Sequence, residues 1–316
     1  MRKALVIGLD NYHFARLNGC VNDANKITEL LSRNEDGSKN FDVRKLVDSE
    51  KFGLRKANIR QEIEKLFSGD SEIALFYFSG HGMLTKTGGY IITPDYEPGD
   101  EGISMDYILD LANKSRVKNK FIILDCCNSG KMGNPNSTNS NLSQMGDGVI
   151  ILTASREDES SVEENGHGIF TALLLDALKG EASDILGNIT MASIYSYIDS
   201  SLGPWNQRPI FKTNISTFTP VRKVNPLIDI NVLKSLTKYF STAEEIYLLD
   251  KTYEPTEETS IKEHTEIFEK LQKLVSIGLV KPYGEKHMYY AAINNKGCRL
   301  TNLGKMYWKL IRLERI

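Results

Sequence analysis

The sequence predicts an α/β fold, a mostly parallel sheet of six strands with helices on both faces, followed by a small C-terminal domain. Three observations carry this expectation. Short β-rich apolar runs alternate with helical patterns through the first two-thirds of the 316 residues. The runs Ala4–Leu9, Ile73–Phe78 and Phe121–Leu124 are apolar throughout rather than alternating with polar residues, as strands covered on both faces must be. Around Thr217–Pro226 the pattern changes, and two prolines precede a run of helices. The expected division is therefore a first domain over 1–216, a linker over 217–226 and a second domain over 227–316.

In chain order, the expected strands are Ala4–Leu9, Val43–Val47, Ile73–Phe78, Phe121–Leu124, Val149–Thr153 and Pro209–Lys212. Helical periodicity falls between them at Asn22–Arg33, Leu54–Phe67, Met105–Ser115, Ile169–Leu178 and Met191–Leu202. The segment 131–148, rich in Asn, Ser and Gly, holds too little apolar surface to pack and reads as a mobile loop. In the second domain, Ile228–Phe240, Ala243–Leu249 and Glu263–Ile277 read as helices, the last stopped by Gly278. Tyr289–Ile293 and Cys298–Thr301 read as a hairpin about an Asn294–Gly297 turn, before a final helix from Leu303. Three helices and a hairpin resemble a winged helix-turn-helix.

Composition narrows the function classes. With 25% charged residues, 41% hydrophobic ones and a formal charge of -2, the chain has no overall bias toward nucleic acid or an anionic membrane. No apolar run reaches membrane-spanning length and no signal-peptide pattern opens the chain, so a cytoplasmic location is expected. Four cysteines, two of them adjacent at 126 and 127, make a reactive thiol a better reading than a disulfide framework. From Asn225 onward, 14 Lys/Arg face 12 Asp/Glu, which favours protein recognition or autoinhibition over binding to nucleic acid.

The chemistry concentrates at two strand ends. The third strand ends in Ser79-Gly80-His81-Gly82 and the fourth in Asp125-Cys126-Cys127-Asn128-Ser129-Gly130. Neighbouring parallel strands lie about 4.8 Å apart, so an imidazole and a thiol at adjacent strand ends would meet. A thiol needs such a neighbour to become the nucleophilic thiolate at neutral pH. The amides of Gly82 and Cys127 are candidates for stabilising the oxyanion that follows attack. Cys126 and Cys298 read as packing residues. His167 reads as the start of a helix, and His13, His264 and His287 as solvated or structural.

SGHG followed 46 residues later by DCCNSG, together with ALVIGLDNY, LNGCVNDA and GHGIFTALLLDAL, resembles the metacaspases and bacterial caspase-like proteases over roughly residues 1–215. The resemblance selects Cys127 as nucleophile and His81 as its base in an endopeptidase, and the mobile 131–148 segment suggests that it is held latent until a signal, a partner or a loop cut activates it. The resemblance also implies a pocket for the side chain before the cut, lined by Cys20, Asp23, Ser79 and Asp125. Two carboxylates there suit a guanidinium or an ammonium, so protein or peptide substrates with Arg or Lys before the cut are expected. Lys131 is the candidate self-cleavage site.

No cofactor is needed for this chemistry, but many relatives bind calcium through aspartates. Asp95 and Asp106, with Asp100 and Glu101, are the corresponding candidates here. The match is partial, since the family's paired aspartates are reduced to Met105-Asp106 and Asn134 stands beyond Cys127 where an acid would. Two other readings remain open at this stage. One is a DNA-binding regulator acting through the second domain, and the other is a signalling adaptor whose protease fold no longer cuts. Bacterial defence or programmed death fits the resemblance.

Overall fold

The computed structural model describes residues 1–48, 54–126, 145–154, 163–164, 167–203, 208–215 and 217–316. The chain divides into two compact units, Met1–Ser183 with Asn188–Val224, and Asp184–Gly187 with Asn225–Ile316.

The first unit is built on six strands, β1 (Arg2–Gly8), β2 (Asp42–Val47), β3 (Ile73–Ser79), β7 (Asn119–Asp125), β8 (Val149–Thr153) and β12 (Ile210–Asn214). Their order is β12-β8-β7-β3-β1-β2, parallel except for β12, which runs antiparallel to β8. The two central strands, β3 and β7, are buried at every position, as the apolar runs Ile73–Phe78 and Phe121–Leu124 require. Edge strand β2, with Asp42, Arg44 and Lys45 exposed or half-exposed, keeps a polar face.

Because strand side chains alternate between faces, each strand contributes to two separate cores. Ala4, Val6, Leu75, Tyr77, Phe121 and Ile123 point to one face. There they meet α1 (Cys20–Ser32), α4 (Ile169–Asp176) and α5 (Met191–Leu202). Leu5, Ile7, Phe76, Phe78, Ile122 and Leu124 point to the other, against α2 (Lys56–Phe67) and α3 (Met105–Lys114). Every strand and helix expected for this unit is present, with bounds moved by one to a few residues. Smaller pieces complete it: β4 (Gly82–Thr85), β5 (Gly88–Ile91) and β6 (Ile103–Ser104) form an antiparallel sheet, and β9 (Glu163–Glu164) pairs with β10 (His167–Gly168). β11 (Asn188–Ile189) pairs with β13 (Arg222–Lys223), so the stretch expected as a linker includes a paired strand of this unit.

The second unit comprises α6 (Ile230–Lys234), α7 (Leu236–Tyr239), β14 (Ile246–Leu248), α8 (Lys262–Ser276), β15 (Val280–Tyr283), α9 (Met288–Ile293), β16 (Gly297–Leu300) and α10 (Asn302–Arg312). Its sheet is antiparallel in the order β14-β16-β15. Two expectations are corrected here. Ala243–Leu249 contains a strand, since Ile246–Leu248 pairs with Gly297–Arg299 and sheet partners override local helix propensity. Tyr289–Ile293 lies in a helix rather than a strand. Met288, Ala291 and Ala292 are buried at spacings of three and four, the helical period, and the hairpin strand is Val280–Tyr283 instead. Gly278 does follow α8 in the left-handed conformation, at φ 74°.

Candidate active site

The register of the central strands sets the site. Gly8 lies opposite Ser79, and Ser79 opposite Asp125, so the carboxyl ends of β1, β3 and β7 stop level with one another. In open α/β sheets this edge is where ligands bind. Helix α1 starts directly above it, because Gly8 allows a close approach. A Cβ there would lie 2.1 Å from the Cys20 carbonyl oxygen.

The loop between β1 and α1 is fixed by two carboxylates. Asp48, after β2, accepts hydrogen bonds from the amides of Asp10 (3.1 Å) and Asn11 (2.6 Å). Asp10 in turn accepts from the amides of Cys20 (2.9 Å) and Val21 (3.3 Å), satisfying the first turn of α1. The loop's backbone is thereby held where it can reach His81.

His81 follows β3 by two residues and is held on three sides. Its Nε2 lies 2.7 Å from the Ala15 carbonyl oxygen. A carbonyl only accepts, so Nε2 carries the proton and Nδ1 of the neutral ring is the available base. The His81 amide donates to the Tyr12 hydroxyl at 3.1 Å, and that hydroxyl donates to the Ile92 carbonyl at 3.1 Å. The return bond, Ile92 amide to His81 carbonyl, is direct at 2.9 Å. Tyr12 therefore stands in for one bond of an antiparallel ladder. Its ring also meets the imidazole edge to face, with centroids 4.6 Å apart. Burial pushes the Tyr12 phenol far above its ordinary pKa, so the hydroxyl keeps its proton. Gly80 makes room for it, since a Cβ there would sit 2.5 Å from the Tyr12 oxygen.

If His81 and Ile92 form the hydrogen-bonded pair, the next pair, Gly82 with Ile91, is the non-bonded kind. The Gly82 amide then points away from β5. Phe14, half exposed, packs against His81 and Tyr96 with centroids 5.4 and 5.3 Å away.

The four expected pocket residues come together beneath this edge. Cys20, Asp23, Ser79 and Asp125 are all buried. The Cys20 thiol is hydrogen-bonded with Ser79, and burial above all, then the charges of Asp10, Asp125 and Asp23, drives its pKa far up. It stays a thiol at any working pH. Tyr77, beneath them, is likewise pushed up by burial and by Asp125 and Asp23. Its hydroxyl meets Thr171 Oγ1 at 2.8 Å, and Thr171 donates to Asp125 Oδ2 at 2.5 Å. This relay holds the Asp125 carboxylate in one orientation.

Cys127, Lys131 and Asn134 lie outside the described residues, as does most of the 131–148 segment. Cys126 is buried in the core. Cys298 is buried in the second unit, which pushes its thiol up to about 12. The calcium candidates are placed as follows. Asp95 accepts the Lys56 amide with both oxygens, at 3.0 and 3.1 Å, capping α2, and Asp100 pairs with the Lys56 ammonium. Asp106 lies in the first turn of α3. Among the described residues no group of three or more His, Cys, Asp or Glu could hold a metal ion.

Tyr12, Ala15, Asp10, Asp48 and Thr171 had no assigned role at the sequence level. Thr171 carried a legible signal, a lone hydroxyl within the apolar run IFTALLL. Ala15 carried none, because it contributes only a backbone carbonyl.

The family profile described as Caspase domain matches residues 1–240. No curated protein matches the chain. Among solved structures, a crystal structure of a protein from Geobacter sulfurreducens is similar, with a TM-score of 0.52 at 19% identity, covering 71% of this chain and 97% of that one. That likeness shows a shared fold.

Proposed function

Because the chain belongs to the caspase-domain family of cysteine peptidases, we propose that it cleaves polypeptides after Arg or Lys, with Cys127 as nucleophile and His81 as base. The observation that carries this reading is the imidazole orientation. The Ala15 carbonyl accepts a hydrogen bond from Nε2–H, leaving Nδ1 to accept a proton from a thiol. Nδ1 takes the Cys127 proton and the thiolate sulfur bonds to the scissile carbonyl carbon. The resulting oxyanion is met by the amides of Gly82 and Cys127. Collapse breaks the C–N bond, the amine leaves with the proton held by His81, and water then hydrolyses the thioester.

Support for a basic residue before the cut comes from Asp23 and Asp125, both buried beside Cys20 and Ser79. Carboxylates at such a site repel an acidic side chain and pair with a cationic one. The proposal includes latency relieved by a signal or partner, with Lys131 as the self-cleavage site, and a role in bacterial defence or programmed death. Among the described residues no helix is long and apolar enough to cross a membrane.

The test is hydrolysis of fluorogenic peptides ending in Arg, Lys or Asp, with and without calcium, beside Cys127→Ala and His81→Ala. Cleavage after Arg or Lys, lost in both variants by about a thousandfold or more, is expected. Cleavage after Asp would overturn the pocket assignment. Mass spectrometry of wild type against Cys127→Ala reads self-cleavage at Lys131, and an intact chain in an active enzyme would remove that part.

A further inference from the structure

The family match ends at residue 240, and the part of the second unit beyond it holds a cavity of about 510 Å³. Its walls include Glu244, Lys281, Tyr283, Arg299 and Lys305. The sheet register explains the convergence. Lys281 lies directly opposite Arg299 on neighbouring antiparallel strands, and Ile246 opposite Arg299 on the other side. Cys298 and Leu300 face the core while Arg299 faces out, and Lys281 is exposed beside it. Lys305 reaches the same cavity from α10.

The charges do not cancel. Lys305 occupies both oxygens of Glu244, at 2.6 and 2.5 Å. Among the described residues neither Lys281 nor Arg299 forms an ion pair. Like charges directly opposite on paired strands are destabilising, and here two of them line one cavity. Arg299 also lies over the Tyr283 ring, 5.3 Å from its centroid, and Tyr283 is 41% exposed. The cavity's size falls in the range of small-ligand sites.

We propose that this cavity binds a small phosphorylated ligand of the nucleotide class, with Lys281 and Arg299 taking the phosphate and Tyr283 offering the face on which a base stacks. Two cations converging on one pocket fit a single phosphate group, which Arg can grip through two parallel hydrogen bonds. Duplex DNA would ask instead for cations spread along a surface. Helix α8 offers no such stripe, since Lys262, Lys270 and Lys273 alternate with Glu263, Glu266 and Glu269, and Lys273 is paired with Glu269 at 2.7 Å.

The experiment titrates the full chain with AMP, GMP, CMP, UMP and inorganic phosphate, by calorimetry and thermal melting, beside Lys281→Gln and Arg299→Gln. At least one nucleotide is expected to raise Tm and to bind about tenfold more tightly than inorganic phosphate. Each substitution is expected to weaken that binding about tenfold. Without ligand, Lys281→Gln should leave Tm unchanged or higher, because it removes one of two repelling charges. The proposal is overturned if no nucleotide outbinds inorganic phosphate, if the variants bind as wild type does, or if Lys281→Gln lowers the unliganded Tm. Binding of short duplex DNA that depends on the same two cations, without a nucleotide response, would give the surface to nucleic acid and overturn it too.

Discussion

The six-stranded sheet of the first unit and the β14-β16-β15 sheet of the second treat polar groups in opposite ways. At the end of the six-stranded sheet, Ser79, Asp23 and Asp125 are almost wholly buried and rest on further buried hydroxyls, Thr171 and Tyr77. On the three-stranded sheet, Lys281 and Arg299 stand on the exposed face, while Leu271, Leu274 and Cys298 close an apolar core beneath. A strand covered on both faces has only its ends for chemistry, so functional groups collect there and must be hydrogen-bonded. A sheet with one wet face can carry charge in mid-strand, at the cost of looser placement.

Four substitutions test this contrast, beginning with the largest expected effect. Phe240 is fully buried in the second unit's core, and Phe240→Ala should destabilise that unit by about 3–5 kcal/mol. Hydrogen exchange would read it as lost amide protection in 225–316 with β3 and β7 still protected. Equal loss in both would mean the two sheets melt as one. Next, Asp125→Asn keeps the shape of the strand end but removes a buried charge. Cleavage after Arg should fall by about a hundredfold in kcat/KM, roughly 2.7 kcal/mol, measured with matched Arg and uncharged peptides. A uniform fall for both peptides would make Asp125 a structural group only.

A smaller effect is expected of Tyr12→Phe. It leaves the His81 amide and the Ile92 carbonyl without their bridge, so kcat should drop about tenfold with KM little changed. A rise in KM alone would contradict a positioning role for the hydroxyl. Smallest is Asp106→Asn. Burial and the neighbouring Asp110 raise the Asp106 carboxyl above its usual range, so the folded chain holds this proton more tightly than the unfolded one. Its contribution therefore turns unfavourable as pH rises through the carboxylate range and stays so above it. Asp106→Asn should raise Tm slightly at neutral pH and lose that gain in acid. A gain that persists in acid would assign the effect to packing instead of charge.

The same contrast explains how much was legible in advance. Unbroken apolar runs such as Ile73–Phe78 have few other ways to be buried, and with the β-rich edge segments Val43–Val47 and Pro209–Lys212 they made all six strands of the large sheet readable. In the second unit, the short segments Ile246–Leu248 and Met288–Ile293 carry too few residues for a period to declare itself, and partners far along the chain decided them. The candidate site divides likewise. His81 and the four residues proposed for the pocket stood in recognisable motifs. Tyr12 and Ala15 act through one hydroxyl and one backbone carbonyl, neither of which has a residue signature.

By itself, then, the sequence determined the layered α/β architecture of the first unit, the strand ends that bear the reactive groups and the family to which they belong. Those follow from hydrophobic periodicity and from motifs contiguous in the chain. Only the tertiary structure decided that Ser79 and Asp125 stand level, that the Ala15 carbonyl fixes the His81 tautomer, and that Lys281 faces Arg299 across a strand pair. Each of these depends on register or on contacts between residues distant in sequence. A shift of one position along a strand would turn every such side chain to the other face.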